Sequence, residues 1–313
     1  MLSEKQILII GGNGFLGQGI LQAIANKEYK ISILDPFLDH KNLKQYKIKH
    51  LFKCSTLNDK DINHALKKEE WDYIIHLAAF GGNGNGLLKA ANEDFNKAVN
   101  INVTGFANLL NKLKNKNAKI IWSSSTVVFG EERFYKNKTV KENSILIPST
   151  NYGLTKLMAE EVANFYIKNY NMSITGIRLP IIIGPGLNYR GVAAGISDMA
   201  FASKIKSKCT INMPSTPLDI IYIKDAAKIF VKMINSRTIL KDIYNCSSIR
   251  TSAIKLANNF NKISEKKNIK INNIGMGATY PIMNDHILRK DINFSIKYTM
   301  NKLIKDWLIE IKT

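Results

Sequence analysis

Short apolar runs alternate along the chain with longer stretches in which apolar residues recur every three or four positions. The runs predict buried strands, and the longer stretches predict amphipathic helices. Because strand and helix alternate throughout, the pattern predicts an α/β fold with a parallel, doubly wound sheet covered by helices on both faces. The predicted strands are residues 7–10, 31–35, 48–52, 72–77, 119–126, 173–179, 219–223 and 244–246, and the stronger predicted helices are 92–113, 152–168 and 225–235.

The character of the sequence changes at Pro180. Proline-containing, irregular segments follow it, and residues 253–313 read as helices interrupted by one loop. Open α/β sheets bind ligands at the carboxyl ends of their strands, so a smaller lobe is expected to lie there. We predict a main domain of residues 1–180 plus about 219–246, and a smaller substrate-binding lobe of residues 181–218 and 247–313.

Composition narrows the class of protein. The chain has 313 residues, 45% of them hydrophobic, and a net charge of +20 that comes almost entirely from lysine. The lysines alternate with Asn and Ile along predicted helices, which favours a solvated surface over a nucleic-acid interface. No apolar run is long enough for a membrane span, and no secretory signal is recognisable. Three widely spaced cysteines predict reduced thiols in the cytoplasm, and scattered histidines predict no metal site.

The stretch QILIIGGNGFLG has the order strand, tight turn, helix N-terminus. Glycines in such a turn let a diphosphate approach the backbone, where the free N–H groups of the helix face it. A glycine-rich turn that binds nothing is the alternative. The residues predicted to contact the diphosphate are Gly11, Asn13, Gly14, Phe15, Leu16 and Gly17.

Asp35 ends the second predicted strand, 18 positions after Gly17. A carboxylate near this offset meets the adenosine ribose hydroxyls and repels a 2′-phosphate, so we expect NAD rather than NADP. An Asp that only caps the turn after a strand is the alternative.

Tyr152 and Lys156 lie four apart at the start of a predicted helix and therefore on one face. A nearby ammonium favours a phenolate, which makes such a tyrosine a candidate acid/base. The spacing alone occurs by chance, as the second pair Tyr298 and Lys302 illustrates. A hydroxyl cluster at the end of a strand, Ser123 to Thr126, precedes only the first pair and offers a hydrogen bond to a substrate oxygen.

Several further motifs extend this pattern along the chain, including HLAA, NVTG, SSSTVVFG, YGLTK, RLPIIIGPG and DIIYIKDAA. Together with the glycine loop they resemble the extended short-chain dehydrogenases/reductases of the NAD-dependent epimerase/dehydratase family. The resemblance implies a Rossmann-type fold, NAD as cofactor, and a homodimer formed through the helices that begin near Asn92 and Tyr152.

The same resemblance assigns roles to individual residues. It implies Tyr152 as the acid/base, Lys156 as its electrostatic partner and ribose ligand, and Ser125 as the ligand of the substrate oxygen, with Ser124 as the alternative. Further implied cofactor contacts are Leu77, Ala78, Ala79, Asn102, Ser123 and Pro180. The implied substrate contacts are Phe80, Ser125, Thr126, Ile181, Tyr189 and Arg190.

Departures from the family pattern bear on the substrate. Nucleotide-sugar members of the family usually have Asn at the position of Ile181, Arg at the position of Leu218 and an RPGD-like run at residues 275–281. Those groups hold the diphosphate of the substrate. In this chain, Arg190 and Arg250 are candidates to replace them. Thr126 and Val127 stand where nucleotide-sugar 4,6-dehydratases have an acidic pair, so elimination of water is not expected. Thr56, at a position where the family often has an Asp that contacts adenine, is a milder departure.

We predict an NAD-dependent oxidoreductase or epimerase acting on a carbohydrate, such as a sugar or sugar acid. A nucleotide-sugar 4-epimerase and a non-catalytic NAD-binding regulatory protein are the alternatives.

Overall fold

The computed structural model describes residues 4–81, 84–191, 193–205 and 207–311. The ends of the predicted main domain and tail, residues 1–3 and 312–313, lie outside the described residues. The strands in the described residues are β1 (Lys5–Ile10), β2 (Tyr29–Leu34), β3 (Ile48–Phe52), β4 (Tyr73–His76), β5 (Lys119–Ser125), β6 (Thr139–Val140), β7 (Ile174–Leu179), β8 (Ile181–Ile183), β9 (Cys209–Met213), β10 (Leu218–Tyr222), β11 (Ile243–Asn245), β12 (Ile249–Thr251), β13 (Ile269–Asn273) and β14 (Ile282–Met283).

The helices in the described residues lie between these strands for most of the chain. They are α1 (Phe15–Ile24), α2 (His40–Leu43), α3 (Asp59–Lys67), α4 (Leu87–Glu93), α5 (Phe95–Val99), α6 (Gly105–Leu113), α7 (Asn151–Tyr170), α8 (Ala194–Ala202), α9 (Ile223–Ile234), α10 (Ala253–Ser264), α11 (His286–Ile292) and α12 (Met300–Glu310).

Seven parallel strands form the central sheet in the order β11-β7-β5-β4-β1-β2-β3. Chain order runs outward in both directions from β1, so the crevice between β1 and β4 lies at the point where the order reverses. Open sheets of this kind bind their ligands there, at the carboxyl ends of the strands. The doubly wound parallel fold predicted from the sequence is confirmed.

Both faces of this sheet are buried, as its apolar strands predict. Ile7 and Ile9 of β1 pack with α1, α9 and α11, whereas Leu8 and Ile10 pack with α3, α6 and α7 on the opposite face. The alternation follows from the two-residue period of a strand. The fold therefore holds the strand ends rigidly, which is where the candidate site lies.

Small sheets also form after Pro180, outside the central sheet. β10 pairs with β8 and β12 outside the central sheet, and β13 pairs with β9. The prediction of an entirely helical tail from residue 253 was wrong, because alternating Ile269 and Ile271 let β13 add to the edge of β9.

The predicted helix 92–113 is also interrupted. Asp94 accepts a hydrogen bond from Lys97 N and so begins a new helix after α4 has ended. A π-helical segment at Asn100–Thr104 then connects α5 to α6. Gly105 lies so close to Thr56 that a Cβ there would be 2.5 Å from the threonine Oγ1.

Within the described ranges, no helix combines the length and the apolar character needed to span a bilayer. The same part of the chain has no cluster of three His, Cys, Asp or Glu side chains placed to hold a metal ion.

Candidate active site

The glycine loop after β1 forms a cradle that only glycine can line. Gly11 has φ +79°, and a Cβ there would be 2.9 Å from Ala78 N. A Cβ on Gly17 would be 2.5 Å from Gly12 O. Among the described residues, no side chain caps the N-terminus of α1. The first turn of this helix contains no acidic residue. The first N–H groups of α1, from Phe15 to Gly17, are therefore available to donate hydrogen bonds to an anion. The cradle fits a dinucleotide diphosphate.

Asp35 connects this loop to the turn after β2. Its carboxylate accepts hydrogen bonds from Asn13 N at 3.0 Å and Phe37 N at 2.9 Å. Burial raises the pKa of Asp35, while these two bonds oppose the rise. Each carboxylate oxygen accepts one bond and keeps capacity for another, so Asp35 caps the turn and still has room for a ribose hydroxyl.

Leu77, Ala78 and Ala79 follow β4 at the edge of the crevice and are half-buried. The next residue, Phe80, donates its N–H to Asn102 Oδ1 at 2.7 Å. Asn102 Nδ2 in turn donates to Thr155 Oγ1 at 2.9 Å. Asn102, which is 3% exposed, therefore joins the end of β4 to the first turn of α7.

Tyr152 and Lys156 occupy the first two turns of α7, where Thr150 caps the helix by accepting from Gly153 N. The Lys156 Nζ donates to the Ser123 carbonyl oxygen at 2.7 Å and lies 5.7 Å from the centre of the Tyr152 ring. The structure thus brings the predicted pair together with the end of β5.

Burial sets the protonation of both side chains. It lowers the pKa of Lys156 to about 8, against the opposing effect of Glu160. Burial, together with Tyr189, raises the pKa of Tyr152. The protonated phenol is accordingly the favoured form of Tyr152, and the pKa of this side chain is raised, whereas the Tyr/Lys spacing predicts that it is lowered.

The structure separates the two candidate serines. Ser124 Oγ donates to Glu160 Oε1 at 2.6 Å and is buried. The half-buried Ser125 Oγ accepts only a long 3.5 Å bond from Val127 N within the described residues. A hydroxyl that is free to bind a substrate oxygen is therefore found at Ser125, beside the buried Thr126.

The second Tyr/Lys pair lies elsewhere. Tyr298 packs on Tyr222 with ring centres 4.8 Å apart, and Lys302 Nζ lies 4.6 Å from its ring. Both rings belong to the apolar cluster around β8 and β10. This contact gives Tyr298 a structural role.

The predicted substrate residues fall into two groups. Phe80 packs in a small apolar cluster with Tyr152 and Val127. Tyr189 lies against Gly86 and Gly191, and its closeness to Tyr152 contributes to the raised pKa of the latter. Ile181, which follows Pro180, instead lies in β8 beside β10. Its side chain packs against the apolar cluster that includes the residues of β10.

The two arginines considered as diphosphate ligands are each bound by carboxylates. Arg190 makes a two-bond ion pair with Asp198, at 2.7 and 3.0 Å, and its side chain is 66% exposed. Arg250 is bound by Glu132 at 2.7 Å and Asp219 at 3.0 Å. Neither guanidinium is unpaired, so both differ from the free diphosphate donors considered from the sequence.

Two residues near the site were missed by the sequence analysis. Tyr280 packs against the Tyr152 cluster, and its buried Oη has no hydrogen-bond partner among the described residues. Only the folded position of its loop brings it there, so no local signal marks it. Glu160 does have a signal, because it lies four residues after Lys156 on the same helical face.

Comparison with known proteins identifies the family of the chain. The family model for the NAD dependent epimerase/dehydratase family matches residues 7–247. A putative UDP-glucose 4-epimerase of Methanocaldococcus jannaschii is 27% identical over 73% of this chain and 73% of its own length. UDP-glucuronate 4-epimerase 3 of Arabidopsis thaliana is 29% identical over 71% of this chain, but the match spans only 53% of the plant protein.

Solved structures share the fold. L-threonine dehydrogenase of Clostridium difficile has a TM-score of 0.83 and 23% identity, covering 98% of this chain and 97% of that one. UDP-glucose 4-epimerase of Thermus thermophilus, solved with NAD, has a TM-score of 0.84 and 17% identity, covering 98% and 100%. Because the family model covers most of the chain, the protein belongs to the NAD-dependent epimerase/dehydratase family, which confirms the predicted enzyme class and NAD as its cofactor.

Proposed function

We propose that this enzyme is an NAD-dependent oxidoreductase or epimerase that acts on a hydroxyl or ketone of a carbohydrate, with Tyr152 as the group that moves the proton. The observation that carries the proposal is the buried contact of Lys156 Nζ with the Ser123 carbonyl oxygen beneath Tyr152. It gathers an acid/base, a cation and a strand-end hydroxyl at the mouth of the crevice. The curated relatives that act on sugars point to the carbohydrate.

The cofactor would be held by residues at the ends of five strands, β1, β2, β4, β5 and β7, and by residues of α7. The diphosphate fits the glycine loop, the adenosine ribose fits Asp35, and Lys156 and Asn102 border the nicotinamide side. NAD, when bound, supplies the hydride acceptor for the alcohol carbon. The residues proposed to contact it are Gly11, Asn13, Gly14, Phe15, Leu16, Gly17, Asp35, Leu77, Ala78, Ala79, Asn102, Ser123, Tyr152, Lys156 and Pro180.

In the proposed mechanism Ser125 Oγ hydrogen-bonds the reacting oxygen and orients it toward Tyr152. Tyr152 accepts the proton of an alcohol that is oxidised and donates one to a ketone that is reduced. Because burial favours the phenol, Tyr152 needs a positive neighbour to act as a base, and the Lys156 ammonium provides it. Tyr189 and Arg190 of the second lobe, residues 181–218 and 247–313, would hold the rest of the substrate together with Phe80 and Thr126 of the main domain.

For the substrate, we favour a sugar or sugar acid without a nucleotide diphosphate. Leu218, where the family usually has Arg, is 5% exposed and packs in the apolar cluster of the second lobe. Arg190 and Arg250 are already paired with carboxylates. A diphosphate would therefore have to share these guanidinium groups with Asp198, or with Glu132 and Asp219.

A nucleotide-sugar 4-epimerase is the second candidate. Its support is a cleft of about 860 Å³ between α8 and β9, next to Arg190, which is lined largely by small and apolar side chains such as Ala194, Phe201 and Ile211. Such a cleft has the size of a small-molecule site.

A substrate panel tests the proposal. Free galactonate, gluconate and glucuronate are compared with UDP-glucose and UDP-glucuronate, in saturating NAD, by thermal shift and by absorbance of the reduced cofactor at 340 nm. We expect a shift and cofactor reduction with at least one free acid. A shift confined to the UDP-sugars, with epimer formation detected by chromatography, would favour the second candidate and contradict the first.

Replacement of Asp35 by alanine tests its predicted contact with ribose. We expect NAD affinity to fall roughly 10–100-fold, because one charge-assisted hydrogen bond contributes about 1.5–3 kcal/mol. Affinity for NADP should rise relative to NAD, because the repelling carboxylate is gone. Calorimetric titration of both cofactors measures this, and equal NAD affinity in the variant and wild type would reject the contact.

We also propose a homodimer formed through α7. Leu154, Leu157 and Met158 are only half-buried, Phe165 is 54% exposed, and the opposite face of this helix already packs on the sheet. An uncovered apolar stripe of this kind suits a self-complementary interface between two copies. Sedimentation equilibrium should give twice the 35.3 kDa chain mass at micromolar concentration, and a monomer would contradict the proposal.

A further inference from the structure

A buried ionic network lies directly behind the candidate catalytic pair. Glu160 Oε1 accepts hydrogen bonds from Ser124 Oγ at 2.6 Å and Arg178 Nε at 2.9 Å, and its Oε2 accepts one from Arg178 Nη2 at 2.7 Å. The side chains of Glu160 and Arg178 are 6% and 3% exposed. A buried charge pair needs such complete hydrogen bonding to offset the loss of hydration.

Three elements meet at this carboxylate. Glu160 belongs to α7, one turn after Lys156, whereas Ser124 of β5 and Arg178 of β7 are register partners on neighbouring strands. The Arg178 guanidinium is fixed in turn by the Glu142 carbonyl oxygen at 2.9 Å and by the Phe129 ring at 4.7 Å. Glu160 therefore ties the catalytic helix to the two strands that face it.

Ser124 is the central residue of the strand end used by the site. Its neighbour Ser123 provides the carbonyl oxygen that accepts from Lys156, and its other neighbour is Ser125. Moving Ser124 would move both neighbours, since peptide geometry leaves little slack over three residues.

We propose that Glu160 is a positioning residue, which holds the end of β5 against α7 through Ser124 and Arg178 and so keeps Lys156 on the Ser123 carbonyl oxygen and Ser125 in place. The inference rests on the proposed roles of Tyr152, Lys156 and Ser125.

The charge of Glu160 has a second consequence. Among the described residues, the ionisable groups related to the Lys156 ammonium are Tyr152 and Glu160 on its own helix, His76 on β4, and Arg178 of β7 beyond Glu160. Burial and Lys156 lower the pKa of His76 to about 3, so this imidazole is neutral. Glu160 is therefore the anion that opposes the effect of burial on the pKa of Lys156.

The test uses Glu160→Gln and measures the titration midpoint of Lys156, a quantity that does not depend on turnover. Lysine labelled with ¹³C at Cε is titrated by NMR, with the Lys156 signal assigned from a Lys156→Arg variant. In the wild type this signal should titrate near pH 8, well below most of the 39 lysines. In Glu160→Gln the midpoint should move down by about 1 pH unit, because a neighbouring opposite charge contributes ~1–3 units.

Two further variants separate charge from position. Glu160→Asp keeps the charge, so its Lys156 midpoint should stay near that of the wild type. Ser124→Ala removes only the link to β5, so the midpoint should also be retained. In both, kcat on the best substrate of the panel should fall roughly 10–100-fold with little change in KM, as expected for small misplacements of reacting groups.

Asp225→Asn is the matched control, since Asp225 is also a buried carboxylate but binds the backbone N–H groups of Lys297 and Tyr298. It should lower the melting temperature without moving the Lys156 midpoint. An unmoved midpoint in Glu160→Gln, or an undiminished kcat in Ser124→Ala, would overturn the role of Glu160. If Glu160→Gln does not fold, the kcat of Ser124→Ala tests the role of Glu160. Failure of the proposed function is seen separately, as undiminished turnover in Tyr152→Phe.

Discussion

Tyr152→Phe should lower kcat about 10²–10⁴-fold while leaving NAD affinity within about twofold of the wild type. The substitution removes one oxygen from a ring that stays buried in the same cluster with Phe80 and Val127. It therefore removes the proton carrier and preserves the packing. Steady-state kinetics on the best substrate of the panel, together with calorimetric titration of NAD, measures the two effects.

The chain contains its own control for this experiment. Tyr298 has a lysine four residues later, as Tyr152 does, but it packs on Tyr222 of β10. Tyr298→Phe should retain turnover within about twofold. Equal losses in the two variants would mean that general damage, rather than a lost acid/base, explains the result at Tyr152. Unchanged turnover in Tyr152→Phe would move the proton transfer to another group.

The pH dependence of the wild type provides a second view of the same site. The pKa of Lys156 is lowered by burial to about 8, so the ammonium persists below that pH and is lost as the pH rises through it. In the proposed mechanism the phenolate form of Tyr152 depends on this charge, so kcat should fall on the alkaline side with a midpoint near pH 8.

The parts of this structure that the sequence predicts well are those that local pattern specifies. The apolar run of β1, the glycine turn and the helical spacing after it lie within residues 5–24 and need no distant partner to be recognised. The same holds for Tyr152 and Lys156, since four residues in one helix necessarily share a face.

Long-range pairing explains what was not predicted. β13 exists because residues 269–273 reach the edge of β9, some 60 positions earlier, and β10 leaves the central sheet to join β8 and β12. The state of Arg190 depends on Asp198 of the following helix, and that of Arg250 depends on Glu132, more than 100 positions away. A sequence read without its fold assigns both arginines to a ligand, because it cannot show that a carboxylate already holds them.

Gly17→Ala should weaken NAD binding roughly 10–100-fold, although alanine is by itself the better helix former. A Cβ at this position would lie 2.5 Å from Gly12 O and 2.7 Å from Gly11 O. These are backbone atoms of the loop that is expected to receive the diphosphate, so they can yield only by moving the loop away from α1. Overpacking of this kind costs about 1–3 kcal/mol, and the strain falls on the binding conformation.

Gly19→Ala, two positions later in α1, separates this effect from that of helix propensity. Its Cβ would meet the Ile223 side chain at 2.7 Å, on the face that packs on α9, away from the glycine loop. We expect its NAD affinity to match the wild type, even if the melting temperature changes, because a side chain can rotate where a backbone cannot. Calorimetric titration of NAD into both variants measures the difference. Wild-type affinity in Gly17→Ala would show that the diphosphate does not lie against this turn, and an equal loss in Gly19→Ala would show that any disturbance of α1 is enough to impair binding.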